Sequence, residues 1–367
     1  MSFNKKRALI LSGIKWNDTL QRHQSIAVTL TELGYVVYFV EGIISSSFSV
    51  KKLFNHFKCL KTDNKELKND VPQDINIISA KYVNPNSGIF RAINCRETNK
   101  VIDRIGETFD LVINYLPIYT TYDFLNKIKY EMLIYDCVRD FQNWGGYPKD
   151  IQKIESWLGE KADYIFTDSY YLTNKMIGKW GDKVFQILPT IDNSLCNEQQ
   201  KDLSEIRDIG YVGTLGKHID VCLLKKLVNR GYRFHLFGRV EIPLDFEVAN
   251  HGYYSDLKML FAQVFQSVDA IIIPYKGNMD GVIPAKTMQC LASGLPVFIS
   301  EFYDSRRLEQ YMYVYKNDID LMGKIANFNK EDFLAKRSRA IGFIQENTTG
   351  KLMDRLGEIL NEHQSSV

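Results

Sequence analysis

The sequence predicts an α/β protein built from two doubly wound, Rossmann-like domains, and three observations carry that reading. Short apolar runs alternate with helical stretches almost throughout the chain, which implies parallel sheets covered on both faces by helices. The alternation comes in two sets, separated by the polar stretch LPTIDNSLCNEQQKDLSE with its Pro189. At 367 residues the chain is long for one core and comfortable for two. The expected domains are therefore 1–190 and 191–340, followed by a helical tail.

The elements follow in order. Ala8–Leu11 is apolar and ends at Ser12-Gly13, so it reads as the first strand. Residues 19 to 33 read as a helix, with Asn17 and Asp18 as cap candidates. YVVYFVEG is β-branched and aromatic, hence a strand; INIIS, DLVINYL, MLIYDCV, DYIFTDS and VFQILP are further strands. Helices at 90–107 and 148–161 lie among them. The second set begins near 206 with IRDIGYVGTL, a helix over 218–230, and YRFHLFGR. ANHGYYS, a helix over 256–267, DAIIIPY, a helix over 284–293, LPVFIS and YMYVYK complete it. The stretch 331 to 362 reads as two helices.

Composition narrows the function classes. Hydrophobic residues make up 45% and charged residues 25%, the balance of an ordinary globular protein. No apolar run approaches the roughly 18 residues that cross a bilayer, and the basic N-terminus lacks a cleavage site, so a cytoplasmic location is expected. The six cysteines form no CxxC pair and the six histidines no HxxxH pair. Reduced thiols and no metal site are expected. The net charge is only +2, but residues 1 to 61 carry nine Lys/Arg against three acids. Such a patch suits an anionic partner. Within it, SVKKLFNHFKCLKTD sets Val50, Leu53, Phe54, Phe57 and Leu60 on one helical face flanked by Lys51, Lys52, Lys58 and Lys61. That pattern fits an anionic membrane surface, and equally a helix packed on a core. Nucleic acid is not expected, because no recognised module carries the basic residues.

The chemistry concentrates at strand ends. In VIPAKTMQCLASGLPVFIS a helix opens near Pro284 and ends at Ser293-Gly294. Its first N–H groups and positive dipole end make an anion site, to which Lys286 adds a full charge. Gln289 lies three residues on, facing the same side, and suits a ribose hydroxyl. The neighbouring loop PYKGNMDG, with Tyr275, is shaped for close ligand approach. YVGTLGKH offers Gly213, Thr214, Gly216 and Lys217 at a strand-to-helix turn. HLFGR places Arg239 at a strand's carboxyl end, where it suits a diphosphate. HGYYSD offers Tyr253 or Tyr254 as a stacking face for a nucleobase. In the first domain, Gly13, Trp16, Arg22 and His23 follow the first strand, and Asp136, Arg139 and Asp140 follow a later one. A carboxylate there can act as general base or orient a hydroxyl; the structural alternative is an Asp–Arg pair. NDID at 317–320 mimics an acidic metal motif but sits where a helix cap belongs.

IKWNDTLQRHQSIAVTLTELGYVVYFVEG, LIYDCVRDF, GYVGTLGKHIDVCLLKKL, HGYYSDLKMLF, DAIIIPY and PAKTMQCLASGLPVF together resemble, in order, bacterial nucleotide-sugar glycosyltransferases of the GT-B architecture. The likeness is greatest to teichuronic-acid, capsule and O-antigen enzymes, and Lys286-x-x-Gln289 resembles the motif of xanthan glucuronosyltransferase. The resemblance implies a donor held by the second domain and an acceptor held by the first, with the last helix, 341–367, crossing back to the first domain. Lys286 matches the family's phosphate-binding lysine. The chain departs from many relatives in carrying Gln289 for a glutamate, Gly281 for the first of a spaced glutamate pair, and Arg139-Asp140 for His-Asp or Asp-Asp. The stereochemical course stays open.

The function expected is glycosyl transfer from a nucleoside-diphosphate sugar, a UDP-sugar foremost, to a growing surface glycan or an undecaprenyl-linked oligosaccharide. The catalytic candidates are Asp136, Asp140, Arg139 and His23. The donor candidates are Gly213, Thr214, Lys217, Arg239, Tyr253, Tyr275, Lys286 and Gln289. Gly13, Trp16 and Arg22 stand on the acceptor or phosphate side. No cofactor beyond the nucleotide-sugar co-substrate is expected. A nucleotide-sugar 2-epimerase and a non-catalytic sugar-nucleotide or glycan-binding subunit are the alternatives.

Overall fold

The computed structural model describes residues 5–18, 21–43, 70–84, 88–143, 147, 150–196, 199 and 201–366. The amphipathic stretch 50–61 lies outside them. The chain forms two compact units: Met1–Asp168 with Leu172–Ile187 and Arg355–Val367, and Ser169–Tyr171 with Leu188–Asp354.

The first unit holds a seven-stranded sheet. Its strands are β1 (Lys6–Leu11), β2 (Tyr35–Glu41), β3 (Ile75–Ser79), β4 (Thr108–Asn114), β5 (Lys129–Cys137), β6 (Tyr164–Thr167) and β7 (Val184–Gln186), in the spatial order 3-2-1-4-5-6-7. Every pairing is parallel. β1 shows why: Ala8 to Leu11 are all fully buried, as strands covered on both faces must be. Among the described residues, five helices accompany these strands in sequence: α1 (Arg22–Glu32), α2 (Gly88–Ile105), α3 (Tyr119–Leu125), α4 (Ile151–Lys161) and α5 (Tyr170–Trp180). The strand order reverses between β1 and β4, whose carboxyl ends lie side by side with Leu11 opposite Asn114.

The expected cap of α1 is corrected. Its N-terminus falls at Arg22, and the side chain of Gln24 reaches back to accept the Gln21 N–H at 3.0 Å. Asp18 instead accepts the Lys15 N–H at 2.9 Å and closes a turn ahead of the helix. A short polar side chain stabilises whichever backbone donors are nearest, and here those belong to the turn.

The second unit holds a six-stranded sheet of β8 (Asp208–Val212), β9 (Arg233–Phe237), β10 (Ala249–Asn250), β11 (Ala270–Ile273), β12 (Val297–Ser300) and β13 (Tyr313–Tyr315). The order is 10-9-8-11-12-13, again all parallel. Its reversal falls between β8 and β11. The helices are α6 (Val221–Asn229), α7 (Leu257–Ser267), α8 (Ala285–Ala292), α9 (Tyr303–Arg307), α10 (Asp318–Ala326) and α11 (Lys330–Gln345); α12 (Thr349–Ser366) starts in this unit and from Arg355 onward belongs to the first. Asp220, Asp256, Asn317 and Asn329 cap four of them by accepting backbone N–H groups. NDID is thus a helix start: Asn317 accepts the Asp320 N–H at 3.0 Å, and Asp320 pairs with Lys324. Among the described residues no helix is long and apolar enough to cross a membrane.

Candidate functional site

Ligands of open α/β sheets bind beyond the carboxyl ends of strands where the order reverses. Both units carry their sequence-marked polar residues there.

In the second unit the switch point is lined by Tyr211 and Gly213 from the end of β8, Tyr275 just past β11, and Lys286 on the first turn of α8. The Lys286 ammonium donates to the Tyr211 hydroxyl at 2.9 Å and lies over the Tyr211 and Tyr275 rings, 4.8 and 5.6 Å from their centroids. Burial pulls its pKa down to about 8. No ion pair among the described residues engages it; its partners are a phenol and two π-faces. A cation held without a counter-ion at a helix N-terminus is a site for an anion that comes from outside. Pro284 precedes the helix in extended conformation and sets its start.

Two glycines make the cradle possible. Gly213 has φ +124°, and a Cβ on it would come within 2.5 Å of Lys286 Nζ. A Cβ on Gly238, which follows β9, would collide with the Gly213 carbonyl. The backbones of the two strand ends therefore approach closely, and the lysine occupies the space that a side chain would take.

The other donor candidates surround this point unevenly. The Thr214 carbonyl accepts from the Tyr211 hydroxyl at 3.2 Å. Gln289 is half-buried on α8, three residues past Lys286, and Lys217 is exposed. His218, beside it, lies 5.8 Å from the Tyr275 ring centroid to centroid. Burial and then the Lys286 charge lower its pKa, against an opposing pull from Glu241. Arg239 stacks its guanidinium over the Tyr253 ring at 4.6 Å, and Tyr253 is half exposed. Tyr254 packs against the core instead, so of the two tyrosines only Tyr253 presents a free-standing face.

In the first unit the switch point gathers Ser12, His23, Tyr115, Arg22 and Asp136. His23 Nδ1 lies 2.9 Å from Ser12 Oγ, and its ring stacks on Tyr115 at 3.5 Å and 15°. Burial, then Arg22 and Arg139, pull its pKa down to about 3, so it is neutral at physiological pH. Arg22 reaches from α1 to β5: its Nε bonds both oxygens of Asp136 at 2.7 and 3.0 Å, and its Nη1 donates to the Ile187 carbonyl at 2.7 Å. Asp136 is fully buried. Asp140 pairs with Lys175 at 2.5 Å and accepts from the Asn143 amide at 2.8 Å. Arg139 is exposed and donates to the Tyr147 hydroxyl at 2.9 Å.

The structural alternative of an Asp–Arg pair is thus realised with a different arginine. Asp136 pairs with Arg22 and Asp140 with Lys175. Two acceptor-side candidates lie against neighbouring side chains. Trp16 is buried, edge-on to Phe39 at 5.2 Å, and its backbone N–H donates to Glu41 at 2.7 Å. Gly13 faces the Leu116 side chain, which a Cβ would meet at 3.1 Å. Sequence reasoning passed over Ser12, Tyr115, Lys175 and Tyr211. Tyr211 was within sight, since it sits two residues before a glycine at a strand's end. Lys175 carried no signal, because its partner lies 35 residues away. Among the described residues no group of three or more His, Cys, Asp or Glu is arranged to hold a metal ion.

Neither a protein-family model nor a curated protein matches the sequence. Solved structures do match along the whole chain. A glycosyltransferase from Rickettsia africae is 12% identical with a TM-score of 0.67, covering 100% of both chains. Sucrose-phosphate synthase from Thermosynechococcus elongatus is 11% identical with a TM-score of 0.68, covering 99% of this chain and 100% of that one. HepE from Anabaena, in complex with UDP and glucose, is 11% identical with a TM-score of 0.65, covering 98% and 100%. At such identities the likeness is one of fold, and that fold is the GT-B type expected from the sequence.

Proposed function

We propose that the chain is a glycosyltransferase that takes a sugar from a nucleoside-diphosphate sugar, with the diphosphate bound at Lys286. The observation that carries this reading is a part-buried ammonium with no ion-pair partner among the described residues, set at the N-terminus of α8 beside the strand-order reversal of the second sheet. The fold shared with glycosyltransferases, one of them holding UDP and glucose, supports it and favours a UDP-sugar.

In the reaction the bond from the sugar's anomeric carbon to the diphosphate oxygen breaks, an acceptor hydroxyl bonds to that carbon, and its proton leaves to a base. Negative charge grows on the diphosphate as the bond breaks. Lys286 and the first N–H groups of α8 stabilise it, in the part that a divalent metal fills elsewhere, so turnover is expected without metal. Gln289 takes the ribose, Arg239 the outer phosphate side and Tyr253 the base. On the acceptor side, both oxygens of Asp136 are engaged by Arg22, and we assign that pair to holding the switch point of the first unit. Asp140, buried on the loop after β5 and held by Lys175 and Asn143, is assigned to the acceptor hydroxyl. The acceptor we propose is a growing surface glycan or a lipid-linked oligosaccharide, met at the membrane surface through residues 50–61.

A thermal-shift panel with UDP, GDP, CDP and dTDP, with and without EDTA, tests the donor half, since a ligand of the folded state raises Tm by mass action. One nucleotide shifting Tm, indifferent to EDTA and lost in Lys286→Ala, is the expected outcome. No shift with any nucleotide would contradict it. Asp140→Asn should then lower kcat about 100-fold or more while leaving nucleotide binding intact; an unchanged kcat would remove Asp140 from the reaction.

A further inference from the structure

On the flank of the second sheet, three titratable side chains form a hydrogen-bonded chain. Asp208 opens β8, His235 stands in β9, and His251 follows β10. Asp208 Oδ1 lies 2.8 Å from His235 Nε2, and His235 Nδ1 lies 3.0 Å from His251 Nε2. The two imidazoles are nearly coplanar, at 16°. The far face of His251 stacks on Phe237 at 4.3 Å and 8°. Arg233 holds the other end through its hydrogen bonds to both oxygens of Asp208, and Asp269 accepts the Asp208 backbone N–H at 2.9 Å.

What the chain restrains is a short edge. β10 is two residues long, both exposed, and the His251 N–H donates to the Leu236 carbonyl at 2.8 Å. Gly252, at φ +76°, then turns the backbone, bonded to the Asn250 side chain at 2.9 Å, and Tyr253 follows. So short an edge strand has few ladder bonds of its own to hold it. The His251 side chain holds the backbone two residues ahead of the aromatic face that stacks on Arg239.

We propose that Asp208, His235 and His251 are positioning residues that seat the nucleobase face, Tyr253, and that this seat is released when both imidazoles are protonated. The inference rests on the reading of Tyr253 as the platform for the donor's base. With His235 Nε2 donating to Asp208, the central hydrogen bond needs a lone pair on one histidine and a proton on the other. Protons on all four ring nitrogens would leave two N–H groups and two positive charges facing each other at hydrogen-bond distance. Burial, and then the His235 charge, lower the pKa of His251 below its ordinary value. The sign follows: the seat is whole at neutral pH and opens on acidification.

Hydrogen exchange of the full-length protein across residues 249–254, corrected for the intrinsic pH dependence, reads the latch without any ligand. Between pH 7.5 and 5, wild type should lose protection there at least tenfold, and His251→Gln, which keeps a donor but does not titrate, should not. His235→Gln should behave likewise. Parallel exchange in wild type and both variants would overturn the proposal. UDP titrations at the same pH values supply the functional arm: affinity should fall at least fivefold in wild type and stay level in His251→Gln. A latch that opens while UDP affinity is constant would detach it from the base and overturn its positioning role. Absence of UDP binding even at pH 7.5 would instead count against the donor reading, while the exchange data still decide the latch.

Discussion

Lys286 has two properties that can be separated by substitution. Its ammonium is part-buried against aromatic rings, at an energetic cost to the folded protein, and the same ammonium is what an anionic ligand would use. A folded-state pKa of about 8 against an ordinary 10.5 means that the protonated form is disfavoured in the fold, so nucleotide-free stability is lowest below pH 8 and rises between 8 and 10.5. Lys286→Met should therefore raise the unliganded stability at pH 7, by roughly 1–3 kcal/mol, seen as a higher Tm, while abolishing nucleotide binding. An unliganded Tm that falls would show that the charge is not the strained element. By the same linkage, affinity for a nucleoside diphosphate should be flat below pH 8 and fall about tenfold per unit above it, as the free protein's lysine becomes neutral. Gly213→Ala should impair binding more than folding. It adds about 1–2 kcal/mol of backbone strain at φ +124°, but its Cβ also displaces the ammonium. His23 has the opposite titration consequence from a surface histidine. Neutral in the fold down to about pH 3, it contributes stability in full above pH 6.5, and this is lost as pH falls towards 3. His23→Gln should flatten the acid limb of a Tm-versus-pH curve between those limits; superimposable curves would refute the assignment.

At the scale of elements, α1 and β5 are joined through the Arg22–Asp136 pair across the first sheet's switch point. Both partners are withdrawn from water, the side chain of Asp136 wholly. Removing one partner strands a buried charge, which costs about 3–5 kcal/mol. Asp136→Ala should accordingly lower Tm strongly, and Arg22→Met combined with Asp136→Leu should recover part of the loss. A single mutant as stable as wild type would mean that the pair is dispensable. Activity measured on Asp136 variants alone would conflate this structural loss with chemistry. The elements themselves were legible in the sequence where apolar runs were long and β-branched, as in β2 or β11, and where a cap residue stood ahead of a helical period, as at Asn317. Short elements carried less signal. α9 has five residues and β10 two, and both owe their form to neighbours. The start of α1 was misread because Asn17 and Asp18 are competent caps by type, and only the turn at Lys15 decides which donors Asp18 takes.

For the whole molecule, the two-unit organisation followed from the alternation of elements, and the placement of polar residues at carboxyl strand ends followed from the rule for doubly wound sheets. What one-dimensional reading could not supply was the partner of each charge. Lys286 was expected as a phosphate ligand from its helix position, yet its place against Tyr211 and Tyr275 needs three separate strand and helix ends to be brought together. Asp136 and Arg139 looked like a pair because they are neighbours in sequence; folding gives each a partner from elsewhere. The charge asymmetry of the chain leads to a further expectation. If residues 50–61 meet an anionic membrane, Lys51→Glu, Lys52→Glu and Lys58→Glu together should weaken co-sedimentation with anionic vesicles at least fivefold, and unchanged binding would end that part of the account. The central claim is the donor cradle, and one measurement reaches it most directly: titration calorimetry of UDP into wild type and Lys286→Met in the presence of EDTA. The account expects binding to the wild type and a loss of at least about 100-fold, near 3 kcal/mol, in a variant whose unliganded Tm is no lower. Equal affinity in the two proteins would contradict it.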